Sequence, residues 1–207
     1  MKQELLNRYP QLEKCIDKIE EAKDEMIKCY EKGGKILLCG NGGSCADCDH
    51  IVGELMKGFL SLRPLSDEKK CEMKKNFPDI DDSILNQLQC GLPAVSLVSL
   101  NALNSAFCND VDPELIYAQG VFGLGKPGDI LIAMSTSGNA KNVAAAVKVA
   151  RATGIKVIGL TGKDGGKLRD ISDTCIIAPE NETFKIQELH LPIYHYLCAA
   201  VEEHFFK

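Results

Sequence analysis

Short apolar runs recur along the chain, each separated from the next by a segment with helical character. The runs predict five β-strands, at 35–39, 93–98, 129–134, 156–160 and 174–178. Runs that are apolar at nearly every position are typical of parallel strands covered on both faces. We therefore predict an α/β fold, a three-layer sandwich with a five-stranded parallel sheet flanked by helices and joined by right-handed crossovers.

Two segments depart from this alternation. Over residues 1–33, apolar residues recur at spacings of three and four, which predicts a short helix, a break at Pro10 and a longer helix. Their long apolar stripe leads us to expect a packing partner, such as another subunit. Residues 63–91 are polar and charged, and they predict an insertion of one or two surface helices. Residues 182–206 predict a long final helix.

Composition and charge narrow the class of protein. The chain has 207 residues, 45% of them hydrophobic and 26% charged, which suits a single domain over 1–207. The formal net charge of −5 argues against general binding to nucleic acid or an anionic membrane. No apolar run approaches the ~20 residues of a membrane span, and the N-terminus lacks a signal-peptide pattern. We expect a cytoplasmic protein.

The ten cysteines favour a reducing compartment, because most of them lie in apolar or helical contexts. Cys45 and Cys48 form a Cys-x-x-Cys pair near a strand–helix junction, where a redox or zinc role is the alternative to simple packing. No second pair lies at zinc-ribbon spacing.

Two loops are candidates for ligand binding because both follow predicted strands, and sites in parallel sheets lie at the carboxyl ends of strands. Ser135–Asn139 is a hydroxyl-rich turn that precedes a helical run, so backbone N–H groups and the helix dipole favour a phosphate there. Ordinary N-capping is the alternative. Gly40–Ser44 is glycine-rich but matches neither a dinucleotide fingerprint nor a P-loop. We interpret 162–166 as a plain turn.

Titratable residues on two predicted helices are candidates for chemistry. His50 and Glu54 lie four residues apart on the helix predicted over 47–59. This spacing is compatible with a metal-ligand pair, an acid–base pair or a plain pair of polar surface residues. In the final helix, His190 and His195 point about 140° apart. Only one of them can therefore join Gln187 in a single site, and helical spacing does not decide which.

Six motifs occur together in one order: Gly40–Ser44, His50-x-x-x-Glu54, Asn109-Asp110, Ser135–Asn139, Leu160–Gly166 and Ile186–His190 followed by His195. In this order they resemble the sugar isomerase (SIS) domain family, and within it the phosphoheptose isomerase branch, over nearly the whole chain. The resemblance implies a flavodoxin-like sheet. It also implies a homotetramer with N-terminal helices between subunits and active sites shared at the interfaces.

The resemblance also implies site roles. The catalytic residues would be Glu54 and His195, and the ligands of one zinc ion per subunit would be His50, Glu54, Gln187 and His195. The residues that bind a sugar phosphate would be Asn41, Gly42, Gly43, Ser44, Glu54, Asn109, Asp110, Ser135, Thr136, Ser137 and Gln187.

The implied activity is an aldose–ketose isomerisation, of sedoheptulose 7-phosphate to glycero-manno-heptose 7-phosphate, through an enediol. One alternative is isomerisation of another ketose phosphate. The other is a non-catalytic SIS module that binds a sugar phosphate or a protein partner, such as a replication initiator. Three departures from the family bear on the substrate: Ala140 replaces a serine, Phe184 replaces an acidic residue, and the 63–91 segment is longer.

Overall fold

A computed structural model describes all residues from 1 to 207 as five strands and ten α-helices. The strands are β1 (Ile36–Cys39), β2 (Ala94–Ser96), β3 (Ile130–Ser135), β4 (Lys156–Thr161) and β5 (Thr174–Ile177). The helices are α1 (Lys2–Arg8), α2 (Ile16–Glu31), α3 (Gly43–Met56), α4 (Asp67–Asn76), α5 (Asp82–Gln87), α6 (Asn101–Asp110), α7 (Ile116–Leu124), α8 (Lys141–Ala152), α9 (Gly166–Ile171) and α10 (Thr183–Phe206). Short 3₁₀ segments lie at Pro10–Cys15, Leu97–Ser99 and Pro113–Leu115.

The five strands form one parallel sheet in the order β2-β1-β3-β4-β5, which confirms the predicted flavodoxin-like arrangement. All residues of β1 and β3 are buried, as their continuous apolar sequences require. The chain leaves β1 toward one edge of the sheet and later leaves β3 toward the other. The loops after these two strands therefore border the crevice where ligands bind in such sheets.

Two hydrophobic cores lie on opposite faces of the sheet and confirm the three-layer sandwich. Alternate strand residues, such as Ile132 and Leu131, face opposite sides. The larger core packs α2, α3 and α10 against one face, and the smaller core packs α7, α8 and α9 against the other. None of the helices combines the length and apolar character that a membrane span requires.

The apolar stripe of residues 1–33 is buried within the chain itself. Leu12, Ile19 and Met26 are fully buried, and the longer helix α2 packs against α10 and β5. Packing inside one chain therefore accounts for the stripe, which is not by itself a sign of another subunit.

The surface segment begins later than predicted, because Arg63 is buried. Its Nε donates to Glu202 Oε1 on α10 at 2.8 Å, and only 1% of either residue is exposed. The Glu202 carboxylate also accepts three backbone N–H groups, from residues 59–61. Burial alone would raise the pKa of Glu202, but these donors and Arg63 hold it below its ordinary value.

The same guanidinium closes the end of α3. Arg63 donates to the carbonyl oxygens of Glu54 and Leu55, at 3.2 and 2.7 Å. These carbonyls belong to the last turn of α3 and have no partner inside the helix. The exposed helices α4 and α5 follow as predicted, with only Leu85 of α5 buried. Arg63 and Glu202 therefore fix the helix that carries His50 and Glu54.

Candidate active site

The loops after β1 and β3 meet at the carboxyl edge of the sheet, as predicted. Asn41 donates through Nδ2 to Asn142 Oδ1 at 2.8 Å, and Asn142 donates back to Asn41 Oδ1 at 3.0 Å. The Tyr117 hydroxyl donates to the Gly40 carbonyl at 2.8 Å from the opposite side. The glycine-rich loop is thereby tied to the first turn of α8.

The hydroxyl-rich loop has the predicted strand–turn–helix form. Ser135 ends β3 and is buried, whereas Thr136 and Ser137 are half-buried. Helix α8 begins after Ala140, whose side chain offers no cap. The backbone N–H groups of its first turn and the hydroxyls are thus suited to hold a phosphate, a role that stays a prediction.

Residues 162–166 do more than turn the chain, because they pack against the hydroxyl-rich loop. Gly138 has a φ of +65°, and a Cβ there would lie 1.9 Å from the Gly165 carbonyl oxygen. The backbone N–H groups of Lys167 and Leu168 bond to Asn139 Oδ1 and the Gly138 carbonyl, at 3.2 and 3.0 Å. This neighbouring loop therefore fixes the shape of the predicted phosphate site.

His50, Glu54 and His195 converge, although 145 positions separate the two histidines in the sequence. One ligand atom from each lies within 4.8 Å of the others. His50 Nε2 is 3.1 Å from Glu54 Oε1 and 3.5 Å from His195 Nε2. The structure thus places His195, and not His190, beside the i, i+4 pair of α3, whose His50 is exposed.

His190 occupies the core. It is fully buried, and its Nε2 bonds to the Thr161 carbonyl at 3.0 Å. Burial lowers the pKa of His190 to about 4, and the hydrogen bond to Thr161 opposes this only in part. The ring is therefore neutral at physiological pH, and its other nitrogen, Nδ1, has no hydrogen-bond partner.

The donor set of the cluster fits a divalent cation. Glu54 Oε2 is buried and has no hydrogen-bond partner, as a ligand atom does before its cation is bound. Burial and the nearby His50 lower the pKa of His195, which favours the neutral imidazole that a metal requires. Two imidazoles and a carboxylate form one of the common sets for zinc. Zinc itself stays a prediction.

Other predicted site residues come from the first turn of α3, the end of α6 and the N-terminal part of α10. Gln187 packs over Gly43 so closely that a Cβ on this glycine would be 2.4 Å from Gln187 Nε2. Ser44 is buried in the first turn of α3. Asn109 and Asp110 lie exposed at the end of α6 and hydrogen-bond each other at 2.8 Å. Their roles, and Gln187 as a fourth metal ligand, stay predictions.

The structure adds residues that the sequence analysis did not select. The Tyr194 hydroxyl and the Asp47 carboxylate stand behind His50, and the Phe59 ring lies 5.5 Å from the His195 ring. A cavity of about 380 Å³ opens beside His195, with Arg8 on its wall. Asp47 lies three residues before His50, a helical spacing that could have identified it.

The Cys45–Cys48 pair has no features of an activated thiol. Cys48 is fully buried and its Sγ lies 3.8 Å from the Met134 sulfur. Burial raises the pKa of Cys48, and burial together with Asp49 raises that of Cys45. Both therefore favour the thiol over the nucleophilic thiolate, and Cys48 is a packing residue.

Known proteins resemble this chain over nearly its whole length. Two family models described as SIS domain match residues 3–81 and 102–200. A phosphoheptose isomerase of Helicobacter pylori (strain Shi470) is 36% identical over 209 residues, 99% of this chain and 95% of the relative. The chain belongs to the phosphoheptose isomerase family.

Further phosphoheptose isomerases agree in sequence and in fold. That of Aneurinibacillus thermoaerophilus is 36% identical over 94% of this chain and 85% of its own length. The solved structure of the phosphoheptose isomerase from Neisseria gonorrhoeae superposes with a TM-score of 0.76, at 31% identity over 97% of this chain and 94% of that one. Membership of the phosphoheptose isomerase family therefore explains both the strand order of the sheet and the order of the six sequence motifs.

Proposed function

We propose that the chain is a sugar-phosphate isomerase that interconverts sedoheptulose 7-phosphate and glycero-manno-heptose 7-phosphate. One observation carries the proposal: His50, Glu54 and His195 converge in one cluster, in a chain of the phosphoheptose isomerase family. A sensor or scaffold does not need three convergent proton-carrying and metal-binding groups. A non-catalytic SIS module is therefore not favoured.

Substrate binding divides between the hydroxyl-rich loop, which holds the phosphate, and residues of the glycine-rich loop, α6 and α10, which line the sugar. The hydroxyls of Ser135, Thr136 and Ser137 and the N-terminus of α8 hold the phosphate. The remaining predicted residues line the sugar: Asn41, Gly42, Gly43, Ser44, Asn109, Asp110 and Gln187. The phosphate group is bound but does not react. The energy of its binding positions the carbonyl end of the sugar at Glu54.

The isomerisation needs two proton carriers. Glu54 removes a proton from the carbon beside the carbonyl and leaves an enediolate. Protonated His195 gives a proton to the neighbouring carbon, the hydroxyl proton of the substrate passes to the former carbonyl oxygen, and the proton held by Glu54 returns to His195 through solvent, so that both groups are restored. Glu54 has two distinct oxygens, because Oε1 faces His50 while Oε2 is unpaired. One oxygen can therefore bind a cation while the other carries a proton.

We further propose one zinc ion per subunit, held by His50, Glu54, Gln187 and His195. When bound, zinc would polarise the substrate carbonyl and stabilise the enediolate. The unpaired buried oxygen of Glu54 and the lowered pKa of His195 support this assignment. Zinc content of the purified protein, measured by mass spectrometry of the metal, tests it.

A cytoplasmic homotetramer with shared active sites completes the proposal. All ten cysteines are free thiols, as suits a reducing compartment. Large apolar side chains are exposed on the single chain, among them Leu62 at 83% and Phe122 at 69%, and contacts between subunits would cover such groups. Sedimentation of the full chain measures the assembly directly.

The activity is tested with a coupled isomerase assay across a panel of sugar phosphates. We expect turnover of sedoheptulose 7-phosphate and loss of that turnover in Glu54→Gln, with unchanged folding by circular dichroism. Glu188→Gln, an exposed carboxylate on α10, is the matched control and keeps full activity. Full activity of Glu54→Gln would refute the assignment, and turnover of a different sugar alone would replace the substrate.

A further inference from the structure

Tyr194 bridges two side chains of α3 behind the active site. Its hydroxyl lies 3.1 Å from Asp47 Oδ1 and 3.0 Å from His50 Nδ1. Only 2% of Tyr194 is exposed, and its ring packs edge-on against both His50 and His195, with centroids 5.4 and 5.1 Å away. The hydroxyl is therefore held in place by packing.

The hydrogen-bonding capacities of these groups set the direction of the two bonds. Asp47, as a carboxylate, can only accept, so the Tyr194 hydroxyl donates to it. The Tyr194 oxygen can then accept from His50 Nδ1–H. This arrangement leaves the lone pair of His50 on Nε2, the atom that faces Glu54 Oε1 and His195 Nε2.

The reverse direction conflicts with metal binding. If Tyr194 donated to His50 Nδ1, the half-buried Asp47 would lose its hydroxyl donor. The imidazole proton would also move to Nε2, between the atoms that would share the cation. A cation held by His50, Glu54 and His195 therefore selects the first arrangement.

We propose that Tyr194 and Asp47 are positioning residues, which hold His50 with its proton on Nδ1 and with Nε2 directed at a metal ion. The inference rests on the metal role proposed above for His50, Glu54 and His195. Partners of this kind behind a ligating histidine typically change metal affinity about 10–100-fold.

The experiment compares Tyr194→Phe with Tyr196→Phe, which removes a hydroxyl of the same helix that makes no bond to His50, Glu54 or His195. The Tyr196 hydroxyl bonds to Glu20 on α2 and not to a residue of the cluster. Zinc affinity is measured by competition with a chromophoric chelator, independently of any substrate. Nitrogen-15 NMR of the histidine rings in the zinc-loaded protein then reports which His50 nitrogen binds zinc and how fast the Nδ1 proton exchanges.

We expect Tyr194→Phe to bind zinc about 10–100-fold more weakly than the wild type, with Tyr196→Phe unchanged. We also expect a slowly exchanging Nδ1 proton on His50 in the wild type that exchanges fast in Tyr194→Phe. Equal zinc affinity of Tyr194→Phe and wild type would overturn the inference, as would zinc on Nδ1 of His50.

Asp47→Asn is a second variant that keeps the volume of the side chain. Its amide can donate to the Tyr194 oxygen, which turns the Tyr194 proton toward Nδ1 and the His50 proton toward Nε2. We expect weaker zinc binding here as well, and unchanged affinity would contradict the inference. A wild type that binds no zinc overturns the inference and the metal role together, while the isomerase assay reports separately on the activity.

Discussion

Stability should depend on pH through His190, because this histidine is buried as a neutral ring. Folding lowers its pKa from 6.5 to about 4. Between these values the unfolded chain binds a proton that the native chain does not, so stability falls as pH falls. For these two pKa values, linkage gives a loss of about 2 kcal/mol between pH 7 and pH 5.

The matched variant is His190→Gln, which keeps a side-chain N–H for the Thr161 carbonyl and cannot titrate. Urea unfolding at pH 7 and at pH 5, at one protein concentration, gives the free energy of unfolding for both proteins. We expect the wild type to lose about 2 kcal/mol more than the variant, or about 4–8 °C of melting temperature.

The comparison removes the contribution of the carboxylates, which titrate equally in both proteins. If the difference in unfolding free energy between wild type and His190→Gln stays constant from pH 7 to pH 5, then His190 is not buried as a neutral ring and this reasoning is wrong.

Two further predictions concern the contacts that support the active site. Glu202→Gln should lower the free energy of unfolding by about 3–5 kcal/mol, since it leaves Arg63 as an unpaired buried charge, and urea unfolding checks this. Gly138→Ala should raise KM for the phosphorylated substrate and lower the free energy of unfolding by more than about 1 kcal/mol, because Gly138 has a positive φ and a Cβ there would collide with the Gly165 carbonyl. The control is Gly123→Ala, at an exposed position of α7, which should change neither quantity. Equal behaviour of the two variants would contradict the close packing of the two loops.

The sheet was predictable because each strand is buried on both faces and is therefore apolar at nearly every position. The end of strand β2 differs from the prediction. The apolar run continues to Val98, but the chain turns into a 3₁₀ segment after Ser96. Apolar character reports burial and not backbone direction, so the sequence could not show where β2 ends.

The candidate site was only partly predictable, since helical spacing gives direction but not packing partners. Spacing paired His50 with Glu54 and separated His190 from His195, whereas the resemblance selected His195, and the structure places His195 beside the pair and His190 in the core. Arg63 looked like the start of a charged surface segment, because its partner Glu202 lies 139 positions away. Contacts of this range have no signature in local periodicity.

The bond between Arg63 and Glu202 has a consequence for the order of folding. The loop that closes α3 relies on a carboxylate close to the last residue of the chain, and His195 comes from the same final helix. During synthesis, α3 is made well before either group exists, because Glu202 follows Arg63 by 139 positions. The reaction centre is thus completed only after the final helix has been made.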